Sequence, residues 1–220
     1  MNKNNELTIR IDPEGMQIRL ESTEDGVTTY KEIGPNSFLD CIRNSIRNEK
    51  TASGFLPENC FHVTTYADGG RDYCIRHPSL YADITYHSTE YPHFPLPRLV
   101  FGFRVSKEGK VGGCRLGVVE DGKLKEDSVM YEYPFSNVAN FSLCIGANSL
   151  PVYKKAHTLA TLPDFLLRLP NNDDRFSPLN NRLNLHYREL LEHLKNKDPK
   201  YYYSDILIPS GKTIKDFIGG

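Results

Sequence analysis

The segment YEYPFSNVANFSLCIGANSLP, residues 131–151, is where the periodicity of the chain changes. Before it, apolar and polar residues alternate at every second position, the pattern of half-buried strands. After it, apolar residues recur at three- and four-residue intervals, the pattern of helices. From Pro134 to Pro151 neither pattern holds. The segment is predicted to be a long irregular loop, unusually apolar, of the kind that carries function. Strands gathered on one side and helices on the other mean an α+β fold rather than an alternating α/β one.

Working outward, Leu99–Val105 and Gly112–Glu120 read as a strand pair joined at Lys107–Lys110, with Val129–Tyr133 as a third strand. Phe61–Tyr66 and Asp72–Arg76 flank the turn Asp68-Gly69-Gly70, and Leu80–Tyr86 follows. Prolines 92, 95 and 97 cannot donate to a ladder, so Tyr91–Pro97 is predicted to be an extended crossing or edge. Nearer the start, Leu7–Ile11 and Met16–Leu20 alternate about Asp12-Pro13-Glu14-Gly15, and Val27–Ile33 adds another strand. Phe38, Leu39, Ile42 and Ile46 predict a helix over Ser37–Asn48, with Cys41 as a core or boundary thiol. Beyond the loop, Thr161–Leu169 is a short helix and Asn180–Lys197 the strongest one, striped by Leu183, Tyr187, Leu190, Leu191 and Leu194. Tyr201–Tyr203 are expected to pack over the core edge, and Ile206-Leu207-Ile208 form the last apolar cluster. With no linker or repeat, residues 1–220 are expected to be a single domain.

Composition bounds the function. The net charge of −1 lacks the basic excess that phosphate neutralisation demands, so no nucleic-acid partner is expected. The mixed-charge tract Lys107–Asp127 reads as solvated hairpin surface. The opening MNKNNELTIRID has no apolar leader core, and no run approaches the ~20 apolar residues of a membrane span. The five cysteines, at 41, 60, 74, 114 and 144, include no CxxC spacing. A soluble protein with free thiols in a reducing cytoplasm is expected, without membrane partner and without a cysteine zinc site.

Chemistry is expected first at Cys144. A thiolate is both nucleophile and leaving group, so one cysteine can accept an acyl group and pass it on. Asn137, seven positions earlier, offers an amide suited to an oxyanion, and Gly146, two positions later, lets backbone approach closely. Flanked by Leu143 and Ile145, Cys144 reads equally well as a small buried hydrophobe. His157, thirteen positions on, would be the base of a cysteine hydrolase, without specific spacing to support it. His62, His77, His87 and His93 are expected as sheet residues rather than metal ligands, and His186 and His193 as one boundary face of the long helix. Gly69-Gly70 and Gly112-Gly113 lack the residues of a phosphate cradle. Asp173-Asp174 reads as a polar turn, and Gly219-Gly220 as a frayed end rather than a modifier tail.

Tyr133-Pro134-Phe135-Ser136-Asn137-Val138, followed by Leu143-Cys144-Ile145-Gly146, resembles the bacterial proteins of the ubiquitin-conjugating-enzyme superfamily called prokaryotic family D, which include protein B of the PRTRC cassettes. Tyr91-Pro92…Pro95-Leu96-Pro97…Val100-Phe101 is similar to the tyrosine–proline strand of conjugating enzymes, and the likeness covers roughly residues 95–200. The resemblance implies a ubiquitin-conjugating-enzyme (UBC)-like antiparallel meander flanked by helices. It would span about residues 91–200, with about residues 1–90 as a β/α elaboration. It implies Cys144 as the thioester cysteine, Asn137 near the asparagine of the His-Pro-Asn motif, and Pro134, Phe135 and Gly146 as the supporting loop. The partners implied are a ThiF-like activating enzyme, a ubiquitin-like protein and a JAB-type isopeptidase, in a bacterial or mobile-element cassette. No metal or organic cofactor is required. The chain departs from the motif in lacking its histidine, in placing Pro134 before Phe135, and in an Asn–Cys interval one residue short. These departures motivate a second reading, a catalytically inactive adaptor of the same fold.

Overall fold

The computed structural model describes residues 6–12, 14, 17–24, 26–46 and 52–219. The chain divides into two compact units, Met1–Ser53 and Gly54–Gly220.

In the first unit, β1 (Glu6–Ile11), β2 (Ile18–Glu24) and β3 (Val27–Ile33) form an antiparallel meander in chain order. Its register sets Ile9 opposite Leu20, and Ile11 opposite Ile18, which itself faces Ile33. This is the apolar face that two-residue alternation requires. The other face is charged, with Arg19 bonded to Glu32 at 2.7 Å. The expected helix is present as α1 (Pro35–Ile46), and residues 47 and 48 of the expectation lie outside the described residues. Pro13 and Gly15 of the expected turn lie outside them too. Cys41 is exposed, not a core or boundary thiol. It lies on a helix whose Leu39 and Ile42 are themselves 48% and 40% exposed.

The second unit is built on one curled, antiparallel sheet. Its strands are β4 (Cys60–Thr65), β5 (Arg71–Arg76), β8 (Leu99–Val105), β9 (Val111–Val119), β10 (Val129–Tyr131), β11 (Val138–Ala139), β12 (Ser142–Leu143) and β13 (Pro209–Thr213). Between β5 and β8 the chain makes a two-stranded ribbon of β6 (Tyr81–Tyr86) and β7 (Thr89–Pro95). The main order is β11-β12-β9-β8-β5-β4; β10 pairs with the far end of β9 and with β13. The division expected near residue 90 falls inside this unit, since β5 and β8 are direct neighbours. Among the described residues the proline-rich segment pairs only with β6, consistent with its missing donors.

The central strand β8, LVFGFRV, is buried at every position but Arg104, because both sheet faces are covered. On one face Leu99, Phe101 and Phe103 join a large core with Leu190, Leu191, Leu194 and Tyr202. On the other, Val100 joins Cys74, Val119 and Met130 beneath Ile214 and Phe217. The first face is covered by a 3₁₀ segment Ala156–Thr161, α2 (Leu162–Leu167) and α3 (Tyr187–Leu194), and the second by α4 (Ile214–Gly219). No helix among the described residues is long and apolar enough to cross a membrane.

The strongest expected helix starts late, at Tyr187 rather than Asn180. The buried Asn181 side chain accepts from the Leu185 N–H at 3.1 Å and donates to the Leu185 carbonyl at 3.0 Å, holding residues 181–185 in a non-helical arc. Asn184 turns left-handed at φ 52°. His186 and Glu189 then close a capping box. Leu183 is therefore outside the stripe and 39% exposed. Tyr202 is fully buried, its hydroxyl donating to the Pro95 carbonyl at 2.8 Å.

Candidate functional site

The cysteine loop is fastened at its start by an aromatic plug. Pro134 and Phe135 are buried. The Phe135 ring meets those of Tyr133, Phe94, Tyr187 and Tyr202 at 5.4, 6.0, 6.0 and 6.2 Å. After Asn137 the chain is not irregular, as expected, but folds into a hairpin, β11 and β12, about Asn140 and Phe141. Both turn residues have positive φ, 47° and 66°, the signature of a type I′ turn. A left-handed phenylalanine is strained. Packing holds it: the Phe141 ring lies 5.3 Å from Phe217 with the Lys212 ammonium 5.1 Å above it. β12 then docks on β9, with Ser142 opposite Arg115 and the Leu116 N–H donating to the Phe141 carbonyl at 2.9 Å.

These constraints deliver Cys144 to the surface. Its side chain is exposed, so the buried-hydrophobe alternative does not describe it. Its N–H donates to the Asn137 carbonyl at 2.8 Å, which brings the two expected site residues together. Asn137 itself sits at φ 64°, a conformation asparagine tolerates better than most residues. Its N–H donates to the Asp174 carbonyl at 2.8 Å. Its carboxamide donates to Asn171 Oδ1 at 3.4 Å, where the Ser136 hydroxyl also converges at 3.4 Å. Asn171 is in turn held by Thr85, whose carbonyl accepts from its backbone N–H at 2.8 Å and from its Nδ2 at 3.1 Å. Gly146 is left-handed at φ 57°, with open space around it, so glycine serves the backbone there.

Behind the thiol lies a narrow cavity of about 30 Å³, lined by Asn137 and Cys144 together with Tyr133, Phe135, Leu166 and Tyr187. That is room for roughly two waters. Cys144 itself is open to solvent. Burial distinguishes the other thiols: it pushes Cys74 and Cys114 up to about 11, and raises Cys60. Burial likewise raises the Tyr187 phenol, whose ring closes the cavity. The hydrogen bond from the Tyr86 hydroxyl, 2.7 Å long, lowers the Asp173 carboxyl, with His87 adding to the effect.

His157 is exposed on the 3₁₀ segment and does not line the cavity that Cys144 lines. Of the four histidines expected in sheets, His62 and His93 lie in strands, His87 in the β6–β7 turn and His77 just past β5, and each has its own partner. His62 meets Thr64 at 3.0 Å, His87 meets Asp173 at 3.2 Å, and His93 stacks on Tyr81 at 4.3 Å. His77, 3% exposed, lies between the Ser79 carbonyl at 2.7 Å and Asp164 at 3.0 Å. His186 caps α3, and His193 reaches the Tyr201 hydroxyl at 3.0 Å. Among the described residues no group of three or more His, Cys, Asp or Glu is placed to hold a metal ion. Gly219 closes α4, while Gly220 lies outside the described residues. Asn171 and Asp174, which buttress the loop, escaped the sequence reading. The Asn-Asn-Asp-Asp run signalled only a polar turn, without saying against what.

No family model, curated protein or solved structure matches this chain.

Proposed function

We propose that the second unit is a UBC-like acyl carrier that holds a ubiquitin-like modifier as a thioester on Cys144. The observation that carries the reading is the exposed Cys144 thiol tied through its N–H to Asn137, at the end of a rigidly packed loop. The sheet segment β8-β9-β10, which leads into that loop with helices after it, supports the same reading. In the reaction, the Cys144 thiolate attacks the modifier's C-terminal carbonyl on a ThiF-like activating enzyme and expels that enzyme's thiolate. An amine then attacks the new thioester, loses a proton to solvent and expels the Cys144 thiolate. The carboxamide of Asn137, released from Asn171, stabilises the oxyanion of each step. A bacterial or mobile-element cassette of the PRTRC kind, with a JAB-type isopeptidase, is the proposed setting.

The test is transfer from the cognate activating enzyme, ATP and modifier. The expected product is a reducible adduct, which Cys144→Ser replaces with an ester that resists thiols. Absence of any adduct on Cys144 refutes the reading. A second reading, the inactive adaptor, is favoured by one observation: the Asn137 carboxamide is already bonded to Asn171. It requires that Cys144→Ala leave partner binding and cellular function intact.

A further inference from the structure

In the first unit β1 is an edge, with no strand on its outer side among the described residues. Its bonding to β2 fixes which groups that edge presents. The Asp12 N–H donates to the Gln17 carbonyl at 3.3 Å, in the register that sets Arg10 opposite Arg19 and Thr8 opposite Glu21. Bonded and non-bonded pairs alternate along an antiparallel ladder. Thr8, Arg10 and Asp12 therefore direct their main-chain groups to β2, while Leu7, Ile9 and Ile11 turn theirs outward. The side chains of these same three residues lie on the apolar face, and all three are exposed.

This edge is complementary to itself. Let a second β1 run antiparallel to the first, about a two-fold axis through the sheet at Ile9. Ile9 then meets Ile9, and Leu7 of each copy meets Ile11 of the other. Every such pair has outward groups on both sides and exchanges two hydrogen bonds. The apolar side chains continue in one row across the seam, and a slip of one residue would turn them to opposite faces. The charges agree with this register. Within its own copy Arg10 stands opposite another arginine and reaches Glu21 only at 3.8 Å, while Arg19 is bonded to Glu32. Across the seam Arg10 faces Thr8, and one strand further lies Glu21 of the second copy. Two strand spacings are about 10 Å, a gap that an arginine and a glutamate bridge together. Asp12, which comes opposite Glu6 of the second copy, turns its carboxylate into its own turn and accepts the Glu14 N–H at 3.0 Å. The outer edge of β3 lacks such a match. Its apolar-face row is Val27, Thr29, Lys31 and Ile33, and a lysine on an edge opposes pairing.

We infer that the β1 edge pairs with β1 of a second copy of this chain, giving one continuous antiparallel sheet in the order β3-β2-β1-β1-β2-β3. The contact is small, of the class that gives weak and reversible association. It does not depend on acylation of Cys144.

The experiment takes the ¹⁵N-labelled full chain in reducing buffer, so that the exposed Cys41 and Cys144 cannot bridge copies. Sedimentation reads its mass from about 3 to about 300 µM, and amide NMR reads hydrogen exchange at about 30 and about 300 µM. The expected mass is that of one chain at the low end and of two at the high end. Exchange at Leu7, Ile9 and Ile11 slows several-fold on concentration, while Thr8 and Arg10, already bonded to β2, do not change. Ile9→Pro removes an outward N–H and none of the bonds to β2. It is expected to stay monomeric with Arg10 still protected. Arg10→Glu weakens association about tenfold, since each of two symmetric exposed ion pairs supplies a factor of a few. Adding Glu21→Arg restores it. The mass of a single chain at every concentration overturns the inference. So does a dimer in which Leu7, Ile9 and Ile11 exchange as fast as in dilute solution, since another surface then joins the copies. Slow exchange of these amides in the monomer also overturns it, because the edge is then filled from within the chain. An Ile9→Pro variant that dimerises normally, or a charge swap that fails to restore association, counts against it equally.

Discussion

Replacing Asn137 by glycine and by alanine separates what its backbone does from what its carboxamide does. The residue stands at φ 64°. Glycine adopts that conformation freely, whereas alanine pays about 1–2 kcal/mol for it. Glycine's extra freedom in the unfolded chain offsets about 0.4–1 kcal/mol of this difference. The alanine variant is thus expected to be less stable than the glycine one by up to about 1.6 kcal/mol, read as a urea midpoint difference at constant slope. Both variants lose the carboxamide bond to Asn171, which at 3.4 Å is long. It sits at the weak end of the hydrogen-bond scale, near 0.5 kcal/mol. Transfer from Cys144 behaves differently. If the carboxamide steadies the oxyanion, both variants lose a similar factor of about 10²–10³ in single-turnover transfer to lysine. An alanine variant more stable than the glycine one refutes the left-handed argument. A glycine variant that transfers normally refutes the role of the carboxamide.

Four further outcomes follow from the packing. Iodoacetamide at pH 8 is expected to label Cys41 and Cys144 well before Cys74 and Cys114, since the first pair is exposed and burial holds the second pair up at about 11; peptide mapping by mass reads the order. Because those two thiols ionise more readily unfolded than folded, their contribution to stability is full below about pH 8.5 and falls away as pH rises toward 11, read from urea midpoints. Phe135→Ala, at 2% exposure beneath four aromatic rings, is expected to cost about 3–5 kcal/mol, and a loss under 1 would mean that the plug does not hold the loop. Gly117→Ala drives a methyl group into Met130 and to within 3.3 Å of Phe141 and 3.4 Å of Phe217. The overpacking is expected to cost about 1–3 kcal/mol by the same denaturation assay.

The strands about the β8–β9 hairpin could be read from the sequence because alternation and turn residues agree there. The ribbon edge could be read because proline has no donor. The hairpin inside the cysteine loop could not. Its turn is Asn140-Phe141, and nothing local announces that a phenylalanine will go left-handed; Phe217 and Lys212 make it do so. The late start of α3 was hidden for a similar reason, since the apolar spacing runs on through Leu183 while the Asn181 side chain captures the backbone. β13, PSGKT, has no apolar alternation and is a strand only because β10 pairs with it. At the site, Cys144 and Asn137 could be proposed as chemistry from residue type. Their buttress could not, because Asn171 lies 34 positions from Asn137.

The second core face bears on how this chain is made. Cys74, Val100, Val119 and Met130 are all in place long before Ile214 and Phe217 are synthesised. Until β13 pairs with β10 and brings α4 across, one side of the central sheet stays wet and adhesive. The nascent chain must therefore carry a greasy surface until residues 209–219 have been made. Pairings this distant in sequence close slowly. Incomplete intermediates of this kind are what chaperones capture. Eleven residues with little strand or helix signal of their own, Pro209–Gly219, thus determine whether this sheet is sealed on its second face or left open to aggregation.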